Sequence, residues 1–196
     1  MSMWDERFRK QEYQYGTEPN VFIEQKASEL QGESVLAVAE GEGRNAVFLA
    51  KQGFDVTAWD ASIEGLKKTE TLAEKNGVNV KTEQVDLGNV MWPQEQYDHV
   101  VMVFGHFDED VQASVLKGIK QAIKPGGSFL CEVYSKTQRN YGTGGPKREE
   151  LLYDPQLFLT TFADWHIPYF FIGDVERYEG HLHQGKSHVI QILTRK

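Results

Sequence analysis

The feature that most restricts the fold of this chain is a repeated switch between two hydrophobic periods. Short apolar or alternating runs occur at 35–39 (VLAVA), 54–60 (FDVTAWD), 78–85 (VNVKTEQV), 97–104 (YDHVVMVF) and 128–134 (SFLCEVY). Between them the apolar residues fall at helical spacing: Ala46, Leu49 and Ala50, then Ile63, Leu66 and Ala73, then Val111, Val115, Leu116, Ile119 and Ile123. Gly53, Asn76-Gly77 and the KPGG of 124–127 stand where each helix should stop. Strands separated by helices predict βαβ units and a parallel sheet covered on both faces. After 154 the pattern changes. Asp154-Pro155 reads as the start of a short helix, and 168–178 and 187–195 read as two strands of an antiparallel hairpin joined through EGHLHQGK. The expectation is therefore an α/β, Rossmann-like, doubly wound and mostly parallel seven-stranded sheet closed by a C-terminal antiparallel hairpin.

Two further local expectations follow. A helix is expected to begin at Glu18 with Pro19 in its first turn, burying Phe22, Ile23, Ala27 and Leu30 on one face. The polar, glycine-rich segment 135–154 is long for a connection in a compact domain, which marks functional or disordered loops.

The chemistry concentrates in the turn after the first strand. Gly41-Glu42-Gly43-Arg44-Asn45-Ala46 satisfies the G-x-G-x-x-G/A pattern, and Asp60 follows 19 residues later at the end of the second strand, where a carboxylate can accept from ribose hydroxyls. A nicotinamide-dependent oxidoreductase is therefore one reading. Glu40 and Glu42 argue against it, because a pyrophosphate needs backbone N–H groups and a positive helix end, and nearby carboxylates oppose its charge. A cofactor with a sulfonium and an ammonium group, and no phosphate, suits an acidic turn better. Asp86 in QVDLGN lies just past the third strand, at the same sheet edge, where an acid can accept from the amino group of adenine.

Composition excludes other classes. The net charge of -8 carries no basic footprint for nucleic acid. No run approaches the ~20 apolar residues of a membrane helix, and the charged N-terminus does not read as a signal peptide, so a cytoplasmic location is expected. The single cysteine, Cys131, sits in an apolar run and reads as a buried structural thiol. His181, His183 and His188 form H-x-H-x4-H, but no cysteine is near and the second spacing is loose, so no metal site is expected.

The stretches WDERFRKQEYQYGTEPN, VLAVAEGEGRNAVFLAKQGFDVTAWDAS, VDL, KPGG and TGGPK together resemble the class I S-adenosylmethionine-dependent methyltransferases. The resemblance is nearest to a small bacterial branch related to the tellurite-resistance and, more distantly, the thiopurine methyltransferases. Ala37 and Ala39 stand where that family usually has an acid in the first strand and a third glycine in the turn; the acid appears instead as Glu40.

The resemblance implies S-adenosyl-L-methionine as cofactor, bound by Glu40, Gly41, Glu42, Gly43, Asn45, Asp60, Ala61, Asp86, Leu87 and Phe104. It implies a single domain over 1–196, with 1–30 a helical lid, 31–134 the cofactor-binding core and 135–196 the acceptor side. It further implies a small-molecule acceptor, no nucleic-acid or membrane partner, and a monomer or homodimer. His106, Tyr15 and Arg44 are the candidates for the acceptor side; Arg44 is suited to an anionic acceptor or to a carboxylate of the protein. Tyr13 and Trp4 are candidates to close the pocket, and Arg139 and Tyr141 to grip the acceptor. An obvious base is not required, because holding the acceptor in line with an activated methyl group supplies much of the acceleration. A non-catalytic cofactor binder of the same fold is the third reading.

Overall fold

A computed structural model describes residues 3–196. Seven strands form one sheet in the order β3-β2-β1-β4-β5-β7-β6. β1 (Ser34–Val38), β2 (Asp55–Asp60), β3 (Val80–Gln84), β4 (Tyr97–Val103) and β5 (Ile123–Tyr134) are parallel. β7 (His183–Arg195) runs antiparallel between β5 and β6 (His166–Glu179). The expected doubly wound sheet with its closing hairpin is present.

Both faces of the sheet are covered. One face buries Phe22 and Ile23 of α2 (Val21–Lys26), Ala46 and Leu49 of α3 (Arg44–Lys51), and Leu72 and Ala73 of α4 (Ile63–Lys75). The other buries Val115, Leu116 and Ile119 of α5 (Glu109–Ala122) and Phe158 of α6 (Pro155–Thr161). The stripes read at helical spacing lie inward, because a helix on a sheet can bury only one face, except that Ile63 at the start of α4 is exposed and Ile123 belongs to β5 and not to the helix. Val35 to Val38 are fully buried, which is why β1 reads as continuous rather than alternating. Cys131 is buried in the second layer, and burial pushes its thiol well above the ordinary value.

Four local expectations are corrected. The second helix starts at Val21, not at Glu18: the Asn20 side chain accepts from the N–H groups of Phe22 and Ile23, a capping job that neither Glu18 nor Pro19 does. KPGG does not precede β5 but lies inside it, where the register jumps from Tyr97↔Ile123 to His99↔Ser128. Gly127 is needed there because a Cβ would come within 2.3 Å of the Asp98 carbonyl oxygen. The hairpin strands are longer than expected, reaching Glu179 and His183 and leaving only 180–182 as the turn. The segment 135–154 holds two 3₁₀ turns, Lys136–Asn140 and Glu149–Leu151, and a parallel bridge from Ser135 to Tyr153.

No helix among the described residues is long and apolar enough to cross a membrane.

Candidate active site

β1 has β2 on one side and β4 on the other, so chain direction through the sheet reverses between β1 and β4. Ligands of open parallel sheets bind beyond such a point, at the carboxyl ends of the strands. A cavity of about 240 Å³ lies there. Two non-glycine residues that follow neighbouring strands hold left-handed backbone: Ala39 (φ 52°) after β1 and Phe104 (φ 52°) after β4. Each line the cavity, where strained backbone is typically retained for function.

The turn after β1 is wedged between two helices. Gly41 (φ 63°) faces α1 (Met3–Phe8), and a Cβ on it would meet the Phe8 ring at 3.0 Å. Gly43 (φ 89°) faces α4, and a Cβ on it would meet Thr69 within 2.7 Å. Gly43, expected at the cofactor, packs closely on α4 and is not among the residues that line the cavity.

The two glutamates of the turn are both buried, and they do different things. Glu40 Oε1 accepts from the N–H groups of Asn45 and Ala46 at 2.9 and 2.8 Å, closing the first turn of α3. Burial lifts its carboxyl from the ordinary 4.5 to about 7. Glu42 Oε2 accepts from the backbone N–H groups of Gln14 and Tyr15, and its Oε1 pairs with Lys68 at 2.7 Å. The second acid is thus committed to the protein.

Asp60 Oδ2 accepts from Gly41 N–H at 2.8 Å and Oδ1 from Ser62 N–H at 2.8 Å, which fixes its plane at the cavity wall. Burial raises its carboxyl. Ala61, Asp86 and Leu87 continue that wall. Asp86 also accepts from Gly88 N–H at 3.0 Å. Trp4, Phe8 and Tyr15 cover the cavity from the N-terminal segment.

The cavity is also lined by aromatic rings and by two imidazoles, His106 and His183. Phe104 packs against His183, centroid to centroid 4.5 Å, and Tyr15 against the same imidazole at 4.7 Å. Burial pushes His106 down to about 4 and His183 to about 3, so both rings are neutral. The Nδ1 atoms of both are buried and have no hydrogen-bond partner among the described residues.

A buried charge network adjoins the cavity. Arg44 contacts Glu179 at 2.6 Å as an ion pair without hydrogen-bond geometry. Arg177 pairs with Glu132, and the Asn20 side chain donates to both Glu132 and Glu179. Asn20 N–H also donates to Asn45 Oδ1 at 2.9 Å.

Of the sequence-derived candidates, the structure brings Trp4, Tyr15, Glu40, Gly41, Glu42, Arg44, Asn45, Asp60, Ala61, Asp86, Leu87, Phe104 and His106 to one cavity. Arg44 serves a carboxylate of the protein, one of its two expected uses. Tyr13 lies outside the cavity, its hydroxyl donating to the Lys68 carbonyl. Arg139 and Tyr141 do not grip the cavity: Arg139 pairs with Glu149 and Tyr141 donates to Asp174, both at the exposed surface. The three hairpin histidines separate, with His181 exposed beside Glu12, His183 buried in the cavity and His188 bonded to Ser135. Among the described residues no group of potential metal ligands is assembled. Sequence reading missed His183, Phe8 and Phe107 as cavity residues. The alternation of the hairpin was the available signal for His183, since it is opposite in phase to His188 only if the strand runs unbroken to the tip.

Residues 35–127 match the family described as Methyltransferase domain. The chain is 33% identical over 98 residues to the probable S-adenosyl-L-methionine-dependent methyltransferase TehB of Haemophilus influenzae, covering 49% of this chain and 34% of that protein. It is 34% identical over 112 residues to the ubiquinone biosynthesis O-methyltransferase of Rickettsia felis, covering 56% and 45%. The matches thus span between a third and a half of the length of these curated relatives. The crystal structure of TehB from Haemophilus influenzae superposes with a TM-score of 0.73 at 22% identity, over 91% of this chain and 62% of that one. A structure from work on conversion of a disulfide bond into a thioacetal group during echinomycin biosynthesis gives 0.76 at 18% identity, over 98% and 90%.

Proposed function

We propose that this chain, a class I S-adenosylmethionine-dependent methyltransferase by family and fold, transfers a methyl group to a small-molecule acceptor by in-line displacement. The observation that carries the reading is the lining of its cavity. Carboxylates of Glu40, Asp60 and Asp86 stand there together with neutral aromatic and imidazole rings. A cationic cofactor with no phosphate fits that donor set, and a pyrophosphate does not.

Bound there, S-adenosylmethionine supplies a methyl carbon already activated by its sulfonium. The residues of the chain hold and exclude. Glu40, with Oε1 committed to α3, presents Oε2 to the ammonium group. Asp60 accepts from the ribose hydroxyls with the lone pairs its two backbone donors leave free. Asp86 accepts from the adenine amino group, between Leu87 and Phe104. Tyr15, His106 and His183 line the acceptor end, and residues 3–16 close it from water, which strengthens every polar contact inside. Positioning supplies most of the acceleration.

The nicotinamide reading is not favoured, because both glutamates of the turn are buried in place rather than turned to solvent. The test is a calorimetric titration with S-adenosylhomocysteine, NAD and NADP in parallel. Micromolar binding of the first alone is expected. Binding of a nicotinamide nucleotide instead sinks the reading. Activity toward thiols, phenols and carboxylates then separates an enzyme from a non-catalytic binder.

A further inference from the structure

One cation beside the cavity pairs with no acid among the described residues. Arg44 is held by Glu179, Arg177 by Glu132 and Lys68 by Glu42. Arg7, on α1, instead donates from Nη1 to the Tyr15 hydroxyl at 2.7 Å, and its guanidinium lies 4.7 Å above the Trp4 ring. Both of those partners line the cavity. No carboxylate ion pair is formed by Arg7 among the described residues. Its remaining N–H donors have no partner among the described residues, and a guanidinium is built to bind planar oxyanions. Tyr15, by accepting from Arg7, keeps its own O–H without a partner among the described residues. Among the described residues the Nδ1 atoms of His106 and His183 have no partner, both residues line the cavity, and His183 is 4% exposed.

We propose that the space between Arg7, Tyr15, His106 and His183 binds an acceptor that already carries a negative charge, a small organic anion with an apolar body. This rests on the methyltransferase reading above. Arg7 and the Tyr15 hydroxyl donate to the anionic group, and Phe107 packs against the body.

The chemistry agrees. Rings that burial holds at about 3 and about 4 are poor bases near neutral pH, so neither imidazole would take the proton of an acceptor that arrived protonated. An anion needs no base. Its lone pair forms the new bond to carbon, the carbon–sulfur electron pair leaves with sulfur, and no proton changes hands.

The test uses the full chain saturated with S-adenosylhomocysteine and titrated with benzoate or with benzamide, its uncharged counterpart. Wild-type protein is expected to bind benzoate in preference. Arg7→Gln should weaken benzoate by roughly tenfold or more and leave benzamide unchanged. Benzoate bound no better than benzamide, or unaffected by Arg7→Gln, overturns the proposal. A second pair of titrations separates the acceptor from the amino-acid end of the cofactor. Arg7→Gln is expected to leave both S-adenosylhomocysteine and 5′-methylthioadenosine within twofold of wild type. Loss of the first alone would put Arg7 on the cofactor carboxylate and overturn the proposal. Failure of wild-type protein to bind S-adenosylhomocysteine at all would instead overturn the methyltransferase reading on which it rests.

Discussion

The carboxylate of Glu42 accepts a hydrogen bond from the backbone N–H of Gln14 at 2.8 Å, across 28 residues of sequence. An acid in a glycine turn is thereby explained without any ligand. It clasps the N-terminal segment onto the loop that it must cover, while Lys68 balances its charge from α4. On the far side the Gln14 carbonyl accepts from His181 N–H at 3.1 Å, so the same segment bridges turn and hairpin.

Glu42→Ala should cost about 2–4 kcal/mol, because it strands two backbone donors and a largely buried lysine. Glu42→Gln should cost less, since an amide oxygen still accepts. Chemical denaturation measures both, and faster proteolysis near residues 9–18 in the alanine variant would show that the covering segment has come loose.

Glu40 links the site to pH. Its carboxyl is raised to about 7 in the folded protein, so between 4.5 and 7 the native state holds a proton that the unfolded chain releases. This contribution is full below 4.5 and is lost as pH rises through 7, by about 3 kcal/mol in all. Glu40→Gln should flatten the stability profile in that window, as read by melting temperature against pH.

Cofactor binding should show the opposite trend. An ammonium group favours ionised Glu40, so affinity for S-adenosylhomocysteine should fall below pH 7, by at most about tenfold per pH unit. Binding at pH 6.5 should release protons, detected as a dependence of the calorimetric heat on buffer ionisation enthalpy. A heat independent of buffer would remove Glu40 from the ammonium site.

Asp60→Ala should weaken S-adenosylhomocysteine by about 1.5–3 kcal/mol through loss of a charged hydrogen bond. The same variant frees Gly41 N–H and Ser62 N–H, so a loss of thermal stability should accompany it. Unchanged affinity would end the ribose assignment.

Arg177→Met should destabilise by about 3–5 kcal/mol, because Glu132 is fully buried and would lose its counter-charge. Adding Glu132→Gln should recover part of that loss. Denaturant midpoints of the two single variants and the double variant measure the coupling.

The sequence by itself determined the layer order, the strand–helix alternation and the place of the turn. These depend on local periodicity and on glycines that need left-handed backbone, both of which are written in neighbouring residues. It also located the carboxylates Glu40, Asp60 and Asp86, because the ends of parallel strands share one edge. What each acid does was decided by the tertiary structure. Whether Glu42 faces a ligand or Gln14 depends on where a segment 28 residues away returns. Arg44 and Glu179 meet only because the final hairpin folds back beside β5. His183 enters the cavity, and Tyr141 and Arg139 stay outside it, for the same reason: their places follow from long-range packing, which no local spacing records. Asn20 is the clearest case, a residue that caps α2, donates to Glu132 and Glu179 and reaches Asn45, with partners up to 159 residues away. A buried polar group must find partners wherever the fold supplies them, and only the fold says where those are.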